Sequence, residues 1–261
     1  MVDSKYYSLF SRNIGIFSQQ EQEQIKNLTI AIAGVGGVGG AALFDLARMG
    51  VQNFIIADPD EFEFSNINRQ EGAFLNTLGK NKCSVLSQML IQINNEIQVM
   101  SFEKGLDENN IDLFIEKADV IIDGLDFFCM NVRRKLINSA LEKNKYVFGA
   151  PILGFGTSLY VFAPNGPTFD DFFGKIPANL SFDYCLNFGR KIFPYIPQYI
   201  LEEEYLKALK SDRSMPSIAP ACSISGAFLS ISLILFVLKK KQPYFIPKIK
   251  QLDLFEEKFI F

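Results

Sequence analysis

The sequence predicts an α/β protein built on a doubly wound, mostly parallel sheet with an antiparallel C-terminal extension. Short apolar segments alternate with helical patterns up to residue 150, a glycine-rich turn follows the first of them, and acidic residues follow later ones. The carboxyl ends of parallel strands meet at one sheet edge, where ligands bind. We therefore expect Gly34–Gly39, Asp58 and Asp126 to share one crevice.

The glycine-rich turn lies between a strand and a helix. Leu28–Ala33 is apolar and rich in β-branched residues, Gly34–Gly39 reads Gly-Val-Gly-Gly-Val-Gly, and a helix is predicted over Ala41–Met49. Such a turn brings backbone N–H groups close to a phosphate. A second strand, Asn53–Ala57, presents Asp58 about 20 residues later, where a carboxylate binds ribose hydroxyls. This combination predicts a nucleotide site; the alternative is that the glycines only allow close helix–strand packing.

The remaining elements continue the alternation. A polar helix over Gln19–Lys26 closes an N-terminal arm of residues 1–27. Residues 28–150 then form the nucleotide-binding half of a Rossmann-like sheet. The further helices and strands predicted there cover 77–94, 97–102, 109–116, 119–122, 131–143 and 146–149.

Residues 151–261 differ in character, although we assign the whole chain, 1–261, to a single domain. Strands are predicted over 153–162 and 251–255, antiparallel to their neighbours. Between them, residues 164–216 are rich in phenylalanine, tyrosine and proline, with one helix predicted around 198–210. A segment this long with little regular structure is typical of a functional loop or a substrate cover.

The composition excludes several kinds of site. The 261-residue chain has no histidine, which removes catalysis by a serine–histidine or cysteine–histidine pair. Cys83, Cys129, Cys185 and Cys222 include no C-x-x-C pair, which argues against a zinc site or a disulfide framework. A net charge of −3 without a basic block does not indicate a nucleic-acid partner. With no signal-peptide pattern at the N-terminus, we expect a cytoplasmic protein.

One stretch reaches the length of a membrane span. Residues 214–238 carry no charge and are followed by three lysines. Pro216 and Pro220 interrupt the first part, so a continuous helix is predicted only over Ser223–Leu238. We favour a buried core or dimer-interface helix over a span, and we expect no membrane partner.

A second motif follows Asp58. Asp58-Pro59-Asp60 precedes Ser65–Gln70, which reads Ser-Asn-Ile-Asn-Arg-Gln, and Ser217–Cys222 opens the apolar helix. Together with the glycine turn, these stretches resemble the ubiquitin-activating-enzyme-like (ThiF/MoeB-type) adenylyltransferases over almost the whole chain. Ordinary dehydrogenases lack the Ser65–Gln70 motif. The residues that carry the resemblance are Arg12, Gly34, Gly36, Gly37, Gly39, Asp58, Asn66, Arg69, Gln70, Lys82 and Asp126.

The resemblance implies an enzyme that uses ATP and Mg²⁺ to adenylate a carboxylate and release pyrophosphate. Negative charge builds up during attack on the α-phosphate, and fixed cations and a metal must stabilise it. Arg69 and Lys82 are the implied cations and Asp126 the implied magnesium ligand. Asp58 is implied to hold the ribose, with Asp60 nearby.

The resemblance also implies partners. The four motif glycines and Gln70 belong to the nucleotide site, and Asn66 either binds a phosphate or fixes its loop. Arg12 is implied to reach the γ-phosphate of a partner subunit, which makes the protein a homodimer. The acceptor is a carboxylate or carbonyl-bearing small molecule, a peptide or ubiquitin-like C-terminus, or an RNA base, recognised by the segment 164–216.

Other interpretations of these residues remain open. Arg69 can pair with Glu63 or Glu71 on a solvated loop. Asp126 can cap the following helix. Lys82 and Arg12 can be ordinary surface residues.

The chain departs from the family at its cysteines. The two C-x-x-C pairs of the zinc-binding members are absent, so we expect no zinc. Asp212 stands where many members carry a reactive cysteine in the crossover segment, with Cys185 as a possible substitute, and Cys222 is predicted to be core. Phe127 replaces the asparagine that commonly follows the magnesium-binding aspartate. The pattern favours adenylation without a thioester step.

Two further functions are compatible with the sequence. A non-catalytic scaffold would explain the missing thiol and Phe127 but would not need Arg69, Lys82 and Asp126. A nicotinamide-dependent oxidoreductase would use Asp58 for the ribose. It would give the Ser65–Gln70 motif no role.

Overall fold

A mixed sheet forms the centre of the protein. The computed structural model describes residues 4–178, 180–200, 203–204, 207 and 215–260. The strands are β1 (Thr29–Ala33), β2 (Asn53–Ala57), β3 (Gln98–Phe102), β4 (Val120–Asp123), β5 (Tyr146–Gly149), β6 (Ile152–Leu153), β7 (Gly156–Phe162), β8 (Lys250–Asp253) and β9 (Lys258–Ile260). Their order is β3-β2-β1-β4-β5-β7-β8-β9, with β6 paired to β7.

The first five strands are parallel and the later ones antiparallel, as the sequence predicts. Helices cover both faces of the sheet. The helices are α1 (Ser4–Leu9), α2 (Gln19–Asn27), α3 (Gly37–Met49), α4 (Lys82–Ile93), α5 (Ile111–Glu116), α6 (Met130–Glu142), α7 (Phe169–Phe173), α8 (Phe182–Ile192) and α9 (Ala219–Val237).

A hydrophobic core lies on each face of the sheet, and side chains along β1 alternate between the two cores. Ile30 and Ile32 point to the core that also contains α3, α4 and α9. Ala31 and Ala33 point to the opposite core, which α5, α6, α7 and α8 cover. Because both faces are buried, the central strands are apolar throughout, which is typical of parallel sheets covered by helices.

The apolar helix α9 packs along α3. A Cβ on Gly226 would lie 2.6 Å from the Ala41 Cβ, and Ser230 Oγ donates to the Ala42 carbonyl oxygen at 3.4 Å. This is the only helix of the described ranges long and apolar enough to cross a membrane, and its contacts with α3 and the sheet fit the core interpretation. The predicted start at Ser223 is wrong, because Pro220 lies in the first turn, where its missing N–H has no intrahelical partner.

Other elements also differ from the sequence-based prediction. The helix predicted from Ala41 begins at Gly37, and the strand predicted over 153–162 is divided into β6 and β7, because a turn with Gly154 at a φ of +57° separates them. The helix expected over 77–94 begins at Lys82, since Asn81 caps it by accepting the Ser84 N–H at 3.2 Å. The segment 164–216 contains α7 and α8, which the sequence analysis did not predict. The helix predicted around 198–210 lies largely outside the described residues, as does Asp212.

Candidate active site

A cavity of about 280 Å³ opens at the carboxyl edge of the parallel strands. It brings together nine residues that the sequence analysis assigned to the site: Gly34, Gly36, Gly37, Asp58, Asp60, Arg69, Gln70, Lys82 and Asp126. A larger hollow of about 550 Å³ between α1, α3 and α4 contains none of them. The predicted convergence of the ends of β1, β2 and β4 is therefore confirmed in the described part of the chain.

The glycine turn combines a close backbone approach with a helix N-terminus. Gly34 has a φ of +83°, and a Cβ there would lie 2.3 Å from the Gly124 carbonyl oxygen. A Cβ on Gly39 would lie 1.9 Å from the Gly34 carbonyl oxygen, so this glycine serves helix–strand packing and does not line the cavity. The helix α3 starts at Gly37 without a side-chain cap, which leaves its first N–H groups available to an anion.

Asp58 is fixed beneath the turn. Its Oδ2 accepts the Val35 N–H at 2.9 Å and its Oδ1 accepts the Asp60 N–H at 3.0 Å. Burial raises the pKa of Asp58 above its ordinary value, although Lys82 and the two backbone N–H groups act in the opposite direction. The carboxylate is held in one orientation at the end of β2, as a ribose ligand requires.

Lys82 is a cavity residue rather than a surface lysine. It is buried at the first position of α4, and its Nζ lies 2.9 Å from Asp60 Oδ2. Asp60 is exposed, so this ion pair is open to solvent on one side. The Lys82 ammonium has three donors and can bind a phosphate oxygen while it keeps Asp60.

The loop Ser65–Gln70 presents one cation and one amide to the cavity. Arg69 donates from Nη1 to the Ser65 carbonyl oxygen and to Asn68 Oδ1, each at 2.8 Å, and forms no ion pair with Glu63 or Glu71. Within the part of the chain that the structure describes, these bonds leave part of the guanidinium fork unused.

Gln70 and Asn66 have different roles in this loop. Gln70 Oε1 is buried with no partner among the described residues, as expected of a group that awaits a ligand. Asn66 does not line the cavity; its Oδ1 accepts the Glu63 N–H at 3.0 Å. Of the two roles considered for Asn66, the structure shows the one that fixes the loop.

Asp126 lies in the loop after β4 with its side chain exposed to the cavity. Its carboxylate does not cap α6: the N-cap residue is Cys129, which has no side-chain cap bond, and only the Asp126 carbonyl oxygen accepts the Cys129 N–H. A carboxylate oxygen at the site of expected phosphates fits magnesium, which is commonly bound by one or two carboxylates together with substrate phosphates.

The cavity is also lined by a buried polar network that was not predicted, formed by Asp123, Arg133 and Tyr160. Arg133 Nε lies 2.8 Å from Asp123 Oδ2, and the Tyr160 hydroxyl donates to the same oxygen at 2.6 Å. All three side chains are buried. The sequence offers one signal for this network, because Asp123 precedes the predicted site residue Asp126 by only three positions. No sequence pattern links Tyr160, which lies on another strand, to the site.

The cysteines divide between cavity and core. Cys222 is buried at the start of α9, as predicted, and it also lines the cavity beside Gly37. Burial raises the pKa of its thiol to about 11, although Arg69 acts to lower it. Cys129, exposed at the cavity, also has a raised pKa because of partial burial. Cys185 is buried in α8 and does not line the cavity.

Arg12 lies away from the cavity of its own chain. It is exposed in a short 3₁₀ helix, Ser11–Asn13, next to the C-terminal end of α3, where Asn13 Nδ2 donates to the Met49 carbonyl oxygen at 3.0 Å. The glycine turn lies at the N-terminal end of α3. Since α3 has 13 residues, its two ends are about 20 Å apart. The structure therefore does not bring Arg12 together with the other predicted site residues.

Comparison with known proteins identifies relatives over much of the chain. Over 247 residues the chain is 30% identical to a Pyropia yezoensis protein described as a probable molybdopterin-synthase adenylyltransferase, which covers 90% of this chain and 64% of the relative. It is 35% identical over 136 residues to the tRNA threonylcarbamoyladenosine dehydratase of Bacillus subtilis (strain 168), covering 52% of this chain and 53% of the relative. Several curated relatives are matched over only about half of their own length.

Solved structures establish the fold. PaaA superposes with a TM-score of 0.74 at 19% identity, covering 99% of this chain and 73% of PaaA. MccB of E. coli with ATP superposes with a TM-score of 0.70 at 20% identity, covering 92% and 65% of the two chains. The model of the ThiF family matches residues 10–261. With that match over nearly its whole length, the chain belongs to the ThiF family, within the superfamily of E1-like adenylyltransferases.

Proposed function

We propose that this protein is an ATP- and magnesium-dependent adenylyltransferase that converts a carboxylate into an acyl-adenylate and releases pyrophosphate, without a cysteine thioester step. One observation carries the proposal. A helix N-terminus, a ribose-type carboxylate, two cations and an exposed carboxylate line a single cavity. These are the groups that a bound ATP and a developing negative charge require.

The residues have separate tasks in this reaction. The N–H groups at the start of α3 bind the phosphates, and Asp58 accepts hydrogen bonds from the ribose. An acceptor carboxylate oxygen attacks the α-phosphorus, and the bond to pyrophosphate breaks. Arg69 and Lys82 neutralise the charge that moves to the leaving group. A magnesium ion held by Asp126 would add positive charge at the phosphates.

The state of the thiols supports chemistry without a thioester. A nucleophilic cysteine must be a thiolate, and such cysteines have lowered pKa values. Cys222 and Cys129, the two cysteines of the cavity, both have raised values instead. Neither of them has the surroundings of an activated nucleophile.

The names of the relatives support the acceptor class. They include a sulfur carrier protein ThiS adenylyltransferase, and structures of MccB are described in complex with MccA. We infer that the acceptor here is a carboxylate of a peptide, a ubiquitin-like protein or a small molecule. We also infer a cytoplasmic homodimer in which Arg12 completes the site of the partner subunit. Its place at the far end of α3 supports this, because it cannot serve its own cavity.

The test is ATP–pyrophosphate exchange with magnesium, run with peptide pools and with cell lysate. Asp126→Ala should reduce exchange by about 100-fold or more, because the loss of one charge-stabilising group costs about that much. The control is Asp112→Ala, an exposed aspartate on α5 that is paired with Lys143 outside the cavity. Exchange that survives in Asp126→Ala would overturn the site assignment. ATP binding without any exchange would favour the scaffold, and NADH binding without ATP binding an oxidoreductase.

A further inference from the structure

One guanidinium supports the loop that carries Asp126. Arg133, near the start of α6, donates from Nη2 to the Leu125 carbonyl oxygen at 2.6 Å and to the Asp126 carbonyl oxygen at 3.0 Å. Its Nη1 donates to the Phe127 carbonyl oxygen at 3.2 Å. Three consecutive carbonyl groups therefore share one side chain, with the Asp126 carbonyl in the middle.

The guanidinium is itself fixed from the sheet. Asp123, the last residue of β4, accepts the Arg133 Nε–H at 2.8 Å with Oδ2 and the Leu125 N–H at 3.2 Å with Oδ1. The Tyr160 hydroxyl donates to Oδ2 from β7. Arginine is not deprotonated in proteins, so the buried Arg133 guanidinium carries its charge beside the Asp123 carboxylate.

An aromatic side chain from the second half of the protein covers this network. The Phe188 ring on α8 lies 5.7 Å from the Arg133 guanidinium carbon and 5.3 Å from the Phe127 ring. Hydrogen bonds are stronger where water is excluded. The next residue on α6, Arg134, shows the contrast: it is exposed and pairs with Asp170, away from the loop.

We propose that Arg133 is a positioning residue that holds the loop 124–127 so that the Asp126 carboxylate faces the nucleotide and its metal. The proposal rests on the proposed function, in which Asp126 is the metal ligand. A planar guanidinium spreads five N–H donors over a fixed fork, whereas a lysine ammonium concentrates three on one atom. Arg133→Lys therefore keeps the charge next to Asp123 but cannot serve three carbonyl groups.

The experiment compares Arg133→Lys with the matched control Arg134→Lys. The affinity for a non-hydrolysable ATP analogue is measured by calorimetry with and without Mg²⁺, and bound Mn²⁺ is followed by electron paramagnetic resonance. In Arg133→Lys the metal-dependent gain in affinity should fall by about 10- to 100-fold, while the metal-free affinity stays within about twofold. Amide hydrogen exchange at residues 124–127 should become faster. Arg134→Lys should behave as the wild type in every measurement.

Each outcome decides the proposal. If amide hydrogen exchange at residues 124–127 is unchanged in Arg133→Lys, Arg133 does not hold this loop, whether or not a metal binds. Faster exchange with an unchanged metal-dependent affinity overturns the positioning of Asp126. A wild-type protein without metal-dependent binding refutes the metal role in the proposed function, and amide exchange still decides whether Arg133 clamps the loop. If Arg133→Lys fails to fold, Tyr160→Phe, which removes one bond to Asp123, receives the same measurements and should show smaller changes in the same direction.

Discussion

The two walls of the cavity are built differently. Among the described residues, the wall at the ends of β1 and β2 has polar groups without partners: the first N–H groups of α3, the buried Gln70 Oε1 and part of the Arg69 guanidinium. The wall formed by the end of β4 and by Tyr160 of β7 has its buried polar groups bonded to each other, through Asp123 and Arg133. The first wall is suited to a ligand that supplies the missing partners, and the second to holding its own shape.

Removal of Asp123 should have the largest effect on stability. Asp123→Ala leaves Arg133 charged and buried without its partner, which costs about 3–5 kcal/mol of the unfolding free energy. Asp112→Ala removes an exposed pair with Lys143 and should cost at most about 1 kcal/mol. Urea unfolding measures both. Equal losses of unfolding free energy in the two variants would show that the ion pair in the β4 wall stabilises the protein no more than a surface pair does.

Removal of the cations on the other wall should affect catalysis more than stability. Arg69→Ala and Lys82→Met should each lower pyrophosphate exchange by about 100- to 1,000-fold, because they meet charge on the leaving group. Lys80→Met is the control, since Lys80 is exposed and lies two residues before Lys82, outside the cavity. Exchange rates and urea unfolding are compared in the same samples. A loss of stability similar to that of Asp123→Ala would give these cations a structural role instead.

The predictability of the fold follows the same division. Up to residue 150, local signals agree with tertiary structure: apolar strands, the glycine turn and regular spacing gave β1 to β5 and their order of succession. In the second half, α7 is short and aromatic, so its composition does not resemble a surface helix; its signal was the capping box of Thr168 with Asp171. The helix α8 is amphipathic, with Cys185, Phe188 and Ile192 buried at helical spacing, and Ser181 caps it by accepting the Tyr184 N–H. Both signals were available in the sequence for α8.

The site residues that could be predicted are those that belong to a local sequence motif or follow a predicted strand. Asp58, Arg69, Lys82 and Asp126 belong to motifs or to strand ends, so spacing identifies them. Arg133 acts on carbonyl groups six to eight residues earlier, and Tyr160 reaches Asp123 from 37 residues away. Such contacts depend on how α6 and β7 pack, which periodicity does not encode. Sequence patterns therefore reveal the residues that face the ligand, including Asp126 after β4, but not the network of Asp123, Arg133 and Tyr160 that supports the β4 wall.

The smallest expected effect concerns Cys222, which lies on the ligand-binding wall without belonging to the predicted machinery. With a pKa of about 11, roughly one thiol in a thousand is ionised at pH 8, so iodoacetamide should label Cys222 about 100-fold more slowly than free cysteine. Labelling, followed by peptide mass spectrometry, should rise about tenfold per pH unit up to pH 10. Arg69→Ala should slow it further, because Arg69 lowers this pKa. Rapid labelling at pH 7 would instead place a thiolate beside the phosphates and make a thioester step chemically accessible.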